Sequence, residues 1–175
     1  MQDLIEKARH IALAVFDVDG VLTDGGLILG EDGAEFKIFH VRDGQGLVML
    51  RDSGCRIAVI TARNSKIVAE RMNALGIEHV CQGQNDKGKA LAGLMSKLGL
   101  EARQTAYVGD DLLDLPAMKR AGLAVAVADA HPVVRAQAHW VTAARGGHGA
   151  AREVCEFIME AQGTLQATIR NHLDA

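Results

Sequence analysis

The stretch from Ile11 to Asp24, I-A-L-A-V-F-D-V-D-G-V-L-T-D, decides how the rest of the chain is interpreted. An apolar run ends abruptly at two aspartates, Asp17 and Asp19, which Gly20 follows directly. Such a run is typical of a buried central strand in a parallel sheet. Ligands bind beyond the carboxyl ends of parallel strands, so both carboxylates lie where chemistry is expected. They could hold a divalent cation and place one oxygen for attack on phosphorus.

The composition indicates one soluble domain that spans residues 1–175, with 49% hydrophobic residues. A net charge of −3 and 3% aromatic residues predict no nucleic-acid partner. Three cysteines without a C-x-x-C motif favour reduced thiols over disulfides or a zinc site. No apolar run is long enough to span a membrane, and the N-terminus lacks the pattern of a signal peptide. We therefore expect a cytoplasmic protein with no membrane partner.

Strand patterns alternate with helix patterns along the chain, which predicts a three-layer α/β/α Rossmann-like fold with a central parallel sheet. Residues 24–40 predict a small β-hairpin insertion with an Asp-Gly turn, and its apolar residues recur with period two. The last segment, residues 150–175, is expected to be a helix with a polar tail. The other predicted elements are helix 43–52, strand 56–61, helix 64–75, strand 78–81, helix 87–98, strand 104–108, helix 112–121, strand 123–127, helix 131–136 opened by Asp129, edge strand 140–142, a flexible junction 145–149 and helix 150–169.

Polar groups recur at or just beyond the ends of the predicted strands, in the order Asp17 and Asp19, then Thr61, then Lys87, then Asp110 and Asp111 with Asp114. A calcium-binding EF-hand is excluded, because Val21 and Leu22 stand where that loop needs an oxygen ligand and a glycine. A single D-x-D-G could be no more than a strand end that caps backbone groups. The four groups together favour a catalytic site.

The motifs D-V-D-G-V-L-T-D, I-T-A-R, D-K-G and V-G-D-D-L-L-D resemble those of the haloacid dehalogenase superfamily across nearly the whole chain. A closer resemblance is to the 3-deoxy-D-manno-octulosonate 8-phosphate phosphatases. It rests on D-G-G-L-I-L, on F-H-V-R-D-G-Q-G at Phe39 to Gly46, and on R-G-G-x-G-A-x-R-E at Arg145 to Glu153. The roughly forty residues between Asp19 and Thr61 are too few for a separate cap domain. The resemblance implies a phosphoric monoester hydrolase that acts in lipopolysaccharide precursor biosynthesis.

Hydrolysis of a phosphate monoester can proceed in two steps if a carboxylate attacks phosphorus and water then cleaves the aspartyl-phosphate. Asp17, the first polar residue after the strand, is the expected nucleophile. Asp19 would protonate the departing sugar oxygen and then take a proton from water. Thr61 offers a hydroxyl, and Lys87 a positive charge, to the phosphoryl oxygens. Crowding of phosphoryl oxygens and carboxylates calls for a hard cation, which we expect to be Mg2+.

The resemblance also implies roles for individual residues. The Mg2+ ligands would be the Asp17 carboxylate, the Asp19 backbone carbonyl and the Asp110 carboxylate, while Asp111 and Asp114 order metal-bound water or Lys87. The resembled family forms homotetramers in which the hairpins associate and C-terminal segments approach a neighbour's site. Substrate contacts are implied for Asp19, His40, Val41, Arg42, Asp43, Gly44, Arg63, Arg71 and Lys87, because an acidic sugar phosphate suits arginine.

Three alternatives remain open at the level of sequence. A phosphatase for a nine-carbon sugar acid 9-phosphate would use the same catalytic residues. A non-catalytic assembly module on the same fold is a different class of function, although Asp17, Asp19, Thr61, Lys87 and Asp110 are all present. A phosphomutase usually needs a cap that holds its intermediate away from water.

Overall fold

The structure, a computed structural model, describes residues 2–174 as alternating strands and helices with one small hairpin. Two short 3-10 turns, Ala102–Gln104 and Leu112–Asp114, flank the fourth strand of the main sheet. In chain order the elements are α1 (Gln2–Arg9), β1 (Leu13–Phe16), β2 (Ile28–Leu29), β3 (Glu35–Phe36), α2 (Val41–Asp52), β4 (Arg56–Ile60), α3 (Lys66–Ala74), β5 (His79–Cys81), α4 (Lys87–Leu98), β6 (Thr105–Gly109), α5 (Leu115–Met118), β7 (Leu123–Ala126), α6 (Pro132–Gln137), β8 (Trp140–Val141), α7 (Ala150–Ala161) and α8 (Leu165–Leu173).

The main sheet has six parallel strands in the order β5-β4-β1-β6-β7-β8. β1 lies between β4 and β6, with Ala14 opposite Ile57 on one side and Ala106 on the other. The chain therefore builds the sheet outward from β1 in both directions, and the crevice at such a switch point is where ligands bind in open α/β sheets. The predicted central parallel sheet flanked by helices is confirmed.

Burial of aliphatic side chains explains why β1 lies at the centre. All four residues of β1 are fully buried, and Leu47 and Leu50 of α2 are buried with them. Burying one such side chain contributes about 1.5–3 kcal/mol, so a strand covered on both faces is strongly held. α7 packs along α2 with Val154 and Ile158 in the core. The carboxyl end of β1 is consequently a rigid platform for the residues that follow it.

The predicted hairpin is confirmed, with strands of only two residues each. Ile28 pairs with Phe36 and Leu29 with Glu35 in antiparallel register. Its apolar side chains are exposed: Leu29 is 67% and Ile38 65% accessible. Between the end of β1 and the start of β4, the described chain adds only this hairpin and α2. Among residues 2–174, no helix is long and apolar enough to cross a membrane.

Several predicted helices need correction. The helix predicted over 150–169 is two helices, because the chain turns at Gly163 with a φ of +72°, which an L side chain rarely adopts. The helix predicted over 112–121 is a 3-10 turn followed by the short α5, which has a proline in its first turn. α1 was not predicted, because its charges of both signs obscure its apolar face.

The residue that caps α6 also differs from the expectation. Asp129 was expected to open this helix, but the His131 Nδ1 atom accepts the hydrogen bond from the Val133 amide. The Asp129 carboxylate accepts instead from Arg145 Nε and from the Gly146 amide, each at 3.0 Å. Asp129 therefore anchors the segment that leads to α7.

Hydrogen bonds tie the junction at residues 145–149, which was predicted to be flexible, to the rest of the fold. The Gly147 amide donates to Val21 O at 2.9 Å, and Gly146 is buried against Gly20. A Cβ atom at position 146 would overlap the Gly20 carbonyl group. The segment therefore packs directly on the loop that follows β1.

Replacement of Gly146 by alanine should destabilise the protein, because the added methyl group must displace the backbone of the loop after β1. We expect the free energy of unfolding to fall by about 1–3 kcal/mol, the usual cost of overpacking. Gly93→Ala is the matched control: nothing lies within 4 Å of its Cβ position on α4, so it should stabilise by about 0.5–1 kcal/mol. Urea denaturation of both variants measures this, and equal stability would contradict the close packing.

Candidate active site

A cavity of about 290 Å³ opens at the carboxyl ends of β1, β4 and β6. It brings together the polar groups that the sequence analysis identified at the strand ends. Arg63 contributes to the same cavity, whereas Arg71 does not. The sequence-predicted residues that line it are Asp17, Asp19, Thr61, Arg63, Lys87, Asp110, Asp111 and Asp114.

Lys87 lies at the centre of the buried part of this site. Its Nζ atom is 2.8 Å from Asp17 Oδ2 and 2.7 Å from Asp114 Oδ1, and its side chain is only 3% exposed. Burial and a position at the first turn of α4 both disfavour an ammonium group. The two carboxylates outweigh burial and raise the pKa of Lys87, so it stays charged.

Asp114 is a fully buried carboxylate whose oxygens are all engaged. Oδ1 accepts from Lys87 Nζ and from the Tyr107 hydroxyl at 2.8 Å. Oδ2 accepts from the backbone amides of Asp110 and Asp111 at 2.9 and 3.2 Å. Asp114 therefore orients Lys87 and the loop after β6. Tyr107 escaped the sequence analysis, since a tyrosine inside an apolar strand looks like an ordinary core residue.

Asp17 and Asp110 each carry a buried oxygen without a hydrogen-bond partner, Oδ1 in both cases. Burial, with the nearby charge of Asp114, raises the pKa of Asp17 to about 7 and that of Asp110 to about 8. Carboxylate oxygens of Asp17, Asp110 and Asp114 lie within 4.8 Å of one another. Because Asp114 has no free acceptor position, the unpartnered oxygens of Asp17 and Asp110 are the ones that fit a hard divalent cation.

Gly20 is required by the close approach of Asp110. A Cβ atom at position 20 would overlap the Asp110 carboxylate, and the backbone there has a φ of +92°. Both the space and the backbone conformation favour glycine. Gly20 thus allows the Asp110 carboxylate, which follows β6, to lie against the loop that follows β1.

Two hairpin residues that sequence reasoning missed, Glu35 and Lys37, are linked to Asp19, Lys37 directly and Glu35 through Lys37 and Arg63. Lys37 Nζ donates to Asp19 Oδ1 and lies 3.3 Å from Glu35 Oε1. Glu35 Oε1 also accepts from Arg63 Nη2 at 3.1 Å. The sequence signal that could have identified Glu35 and Lys37 is the period-two alternation of the hairpin. When the apolar residues of a strand face outward, Glu35 and Lys37 must point to the opposite side.

His40, Val41 and Arg42 line a second cavity, of about 400 Å³, together with Gly147 and other residues. Asp24 lines this second cavity, and its neighbour in sequence, Gly25, lines the first. Both cavities therefore border the loop after β1. The structure thus places His40, Val41 and Arg42 beside the site of Asp17 rather than within it.

Asp43, Gly44 and Arg71 are engaged in packing. The Asp43 carboxylate accepts from the amides of Gly149 and Arg152, at 3.0 and 2.8 Å, and so caps the N-terminus of α7. The Arg71 guanidinium lies against Gly44 and 5.9 Å from the centre of the Phe39 ring. Contact of these three residues with a substrate stays a prediction.

Comparisons with known proteins agree with this geometry. The sequence profile of the haloacid dehalogenase-like hydrolases matches residues 77–154. The 3-deoxy-D-manno-octulosonate 8-phosphate phosphatase KdsC of Yersinia pestis is 48% identical over 94% of this chain and 88% of its own length.

Solved structures extend the likeness to three dimensions. A probable YrbI family phosphatase from Pseudomonas syringae is 51% identical, with a TM-score of 0.98 over 100% of this chain and 99% of its own. The 3-deoxy-D-manno-octulosonate 8-phosphate phosphatase of Moraxella catarrhalis, in complex with a magnesium ion, a phosphate ion and a KDO molecule, is 46% identical. Its TM-score is 0.96, over 98% of this chain and 99% of its own. The chain therefore belongs to the haloacid dehalogenase-like hydrolases and, within them, to the family of 3-deoxy-D-manno-octulosonate 8-phosphate phosphatases.

Proposed function

We propose that this enzyme hydrolyses 3-deoxy-D-manno-octulosonate 8-phosphate to 3-deoxy-D-manno-octulosonate and inorganic phosphate, in lipopolysaccharide precursor biosynthesis. One observation carries the proposal: Asp17 lies in the cavity with Lys87 on one carboxylate oxygen and no partner on the other. A carboxylate held by a buried cation at the cavity is oriented to attack phosphorus through one oxygen while the other faces a metal ion. The names of the similar phosphatases support the choice of substrate.

The reaction balances in two displacements at phosphorus. Asp17 forms a bond to phosphorus while the bond to the sugar oxygen breaks, and Asp19 donates its proton to that departing oxygen. Asp19 then accepts a proton from water, which attacks phosphorus and displaces the Asp17 carboxylate. Orthophosphate leaves, and both aspartates return to their starting states. Thr61 and Lys87 line the cavity where the phosphoryl oxygens gain negative charge.

The remainder of the substrate would extend from the first cavity toward the second. The sugar acid carries a carboxylate, which the planar guanidinium group of arginine recognises well. Arg63 lies in the first cavity, while His40, Val41 and Arg42 line the second. We place the phosphoryl group beside Asp17 and the sugar acid along Arg63 toward Arg42. Asp43, Gly44 and Arg71 would support this second cavity through the packing described above.

Mg2+ is the cofactor that this site fits. The Asp17 and Asp110 carboxylates and the Asp19 backbone carbonyl would hold it, with Asp111 near its water ligands. When bound, it neutralises part of the negative charge that the carboxylates and the phosphoryl group bring together. The unpartnered buried oxygens of Asp17 and Asp110 support this assignment.

The enzyme is further proposed to be a homotetramer of single-domain chains in the cytoplasm. The exposed apolar face of the hairpin supports association, since patches of this kind mark protein interfaces. Free Cys55, Cys81 and Cys155 support a reducing compartment. The C-terminal segment after α7 would approach the site of a neighbouring subunit.

A phosphate-release assay over a panel of sugar phosphates tests the function. We expect kcat/KM for the eight-carbon acid to exceed that for nine-carbon acid 9-phosphates by about tenfold or more. Asp17→Asn should lower turnover by at least about 10³-fold without unfolding the chain, because it removes the nucleophile. Preference for the nine-carbon acid would overturn the substrate. Absence of any phosphate release from the wild type would favour the non-catalytic module.

Removal of the metal should both inactivate the enzyme and lower its melting temperature. A ligand at 100 times its Kd stabilises the folded state by about 2.7 kcal/mol. We therefore expect Mg2+ to raise the Tm of the EDTA-treated wild type, and Asp110→Asn to remove most of that rise. Asp32→Asn, at the exposed hairpin tip, is the control and should keep it. Full activity in EDTA, or an equal Mg2+ response in Asp110→Asn, would contradict the site.

A charge on the apolar hairpin face should break the tetramer. Leu29→Glu would place a carboxylate in a buried interface, where an unpaired charge is costly. Light scattering should then report a smaller species, while Val133→Glu on the exposed surface of α6 should leave the mass unchanged. A tetramer that survives Leu29→Glu, or a monomeric wild type, would refute association through the hairpin.

A further inference from the structure

We propose that Lys37 is a positioning residue for the acid and base Asp19, and that Glu35 holds Lys37 and Arg63 in place for this task. The inference rests on the proposed function and goes beyond it, because it gives the hairpin a role in the chemistry of its own subunit. None of the motifs described above includes Lys37 or Glu35.

The burial of Lys37 is the first argument. Its side chain is 1% exposed, although it lies on a short hairpin at the protein surface. A lysine in such a place normally extends its ammonium group into water. Here the ammonium group binds Asp19 Oδ1 and Glu35 Oε1 instead. Fixing this long side chain in one position costs conformational entropy. Its burial therefore indicates that the fold keeps the positive charge of Lys37 beside Asp19.

The second argument is that cations approach both oxygens of Asp19. Lys37 binds Oδ1, and Arg63 Nε lies 3.8 Å from Oδ2. Glu35 Oε1 links the two cations, at 3.3 Å from Lys37 Nζ and 3.1 Å from Arg63 Nη2. The four charges alternate in sign around a closed ring. This ring fixes the plane of the Asp19 carboxylate between two elements of the chain, the hairpin and the loop after β4.

The chemistry needs such a restraint. Asp19 must present a proton to the sugar oxygen and later take one from water at nearly the same place. The Asp19 side chain is 21% exposed, and Asp19 lies in a loop rather than in a strand. The local backbone therefore leaves this side chain room to rotate. Displacement of a reacting group by about 1 Å can cost about 10²-fold in rate. Lys37 therefore contributes by orientation and does not need to touch the reacting atoms.

The nature of the leaving group separates this role from a merely structural one. A sugar alkoxide leaves poorly without a proton, so its departure depends on a correctly placed acid. Nitrophenolate is a stable anion and leaves from p-nitrophenyl phosphate with little need of a proton. The ratio kcat/KM reports only the steps up to leaving-group departure and so excludes the later attack by water. Loss of acid positioning should therefore lower kcat/KM selectively for the sugar phosphate.

The experiment measures kcat and kcat/KM of the Mg2+-loaded enzyme for both substrates in wild type, Lys37→Met and Glu35→Gln. We expect Lys37→Met to lower kcat/KM by about 10²-fold for 3-deoxy-D-manno-octulosonate 8-phosphate and by less than about threefold for p-nitrophenyl phosphate. Glu35→Gln should give a smaller loss with the same selectivity. Lys119→Met, an exposed lysine remote from the cavity lining, is the matched control and should change neither value.

A double variant completes the test. If Lys37 acts through Asp19, Lys37→Met should lower kcat/KM by less than about twofold when Asp19→Asn is already present. Equal losses for both substrates, or losses that multiply in the double variant, would overturn the inference. If Lys37→Met fails to fold by circular dichroism, Glu35→Gln carries the test by the same ratio. A wild type that hydrolyses neither substrate overturns the proposed function itself, whereas an active wild type with an unchanged Lys37→Met overturns only this inference.

Discussion

The ammonium group of Lys87, buried between Asp17 and Asp114, is the interaction on which the rest of the site depends. Three carboxylates, those of Asp17, Asp110 and Asp114, lie within reach of one another and share this single buried cation. Asp114 is neutralised by Lys87, the Tyr107 hydroxyl and two backbone amides. The remaining negative charge falls on Asp17 and Asp110, whose raised pKa values express it. A divalent cation would offset this excess of negative charge, to which a bound phosphoryl group would add.

The backbone is arranged to permit that crowding. Gly20 lets Asp110 approach the loop after β1, and Gly146 lets residues 145–149 pack on the outside of the same loop. Asp43 and Asp129 hold the two ends of this segment through backbone amides. The loop that carries Asp17 and Asp19 is therefore supported by the N-terminus of α7, about 130 residues further along the chain. Residues outside the cavity in this way help to determine its shape.

Much of the fold and of the site could be predicted from the sequence, for a definite reason. Asp17, Thr61 and Asp110 follow buried strands, and parallel strands bring their carboxyl ends to one edge. Glu35 and Lys37 of the hairpin were not predicted as site residues. Period-two alternation shows which residues share a face of a strand, but not which residues that face contacts. Motif resemblance predicts substrate contact for Asp43, and it could not show that the Asp43 carboxylate caps a helix that is distant in sequence. α7 ends just before Gly163 although the apolar pattern continues past it, because a residue with positive φ ends a helix whatever the side-chain pattern.

The hairpin exposes apolar side chains, which would form the proposed interface, and its inward Lys37 reaches Asp19. All of this depends on Asp17 as the group that takes up phosphorus. The most direct test is rapid quenching of the Mg2+-loaded enzyme during turnover, borohydride reduction and mass spectrometry of the peptide that contains residues 11–24. The account predicts a modified Asp17 that appears within the first turnover and disappears when substrate is exhausted. An unmodified Asp17 during active turnover, or modification of a different carboxylate, would contradict it.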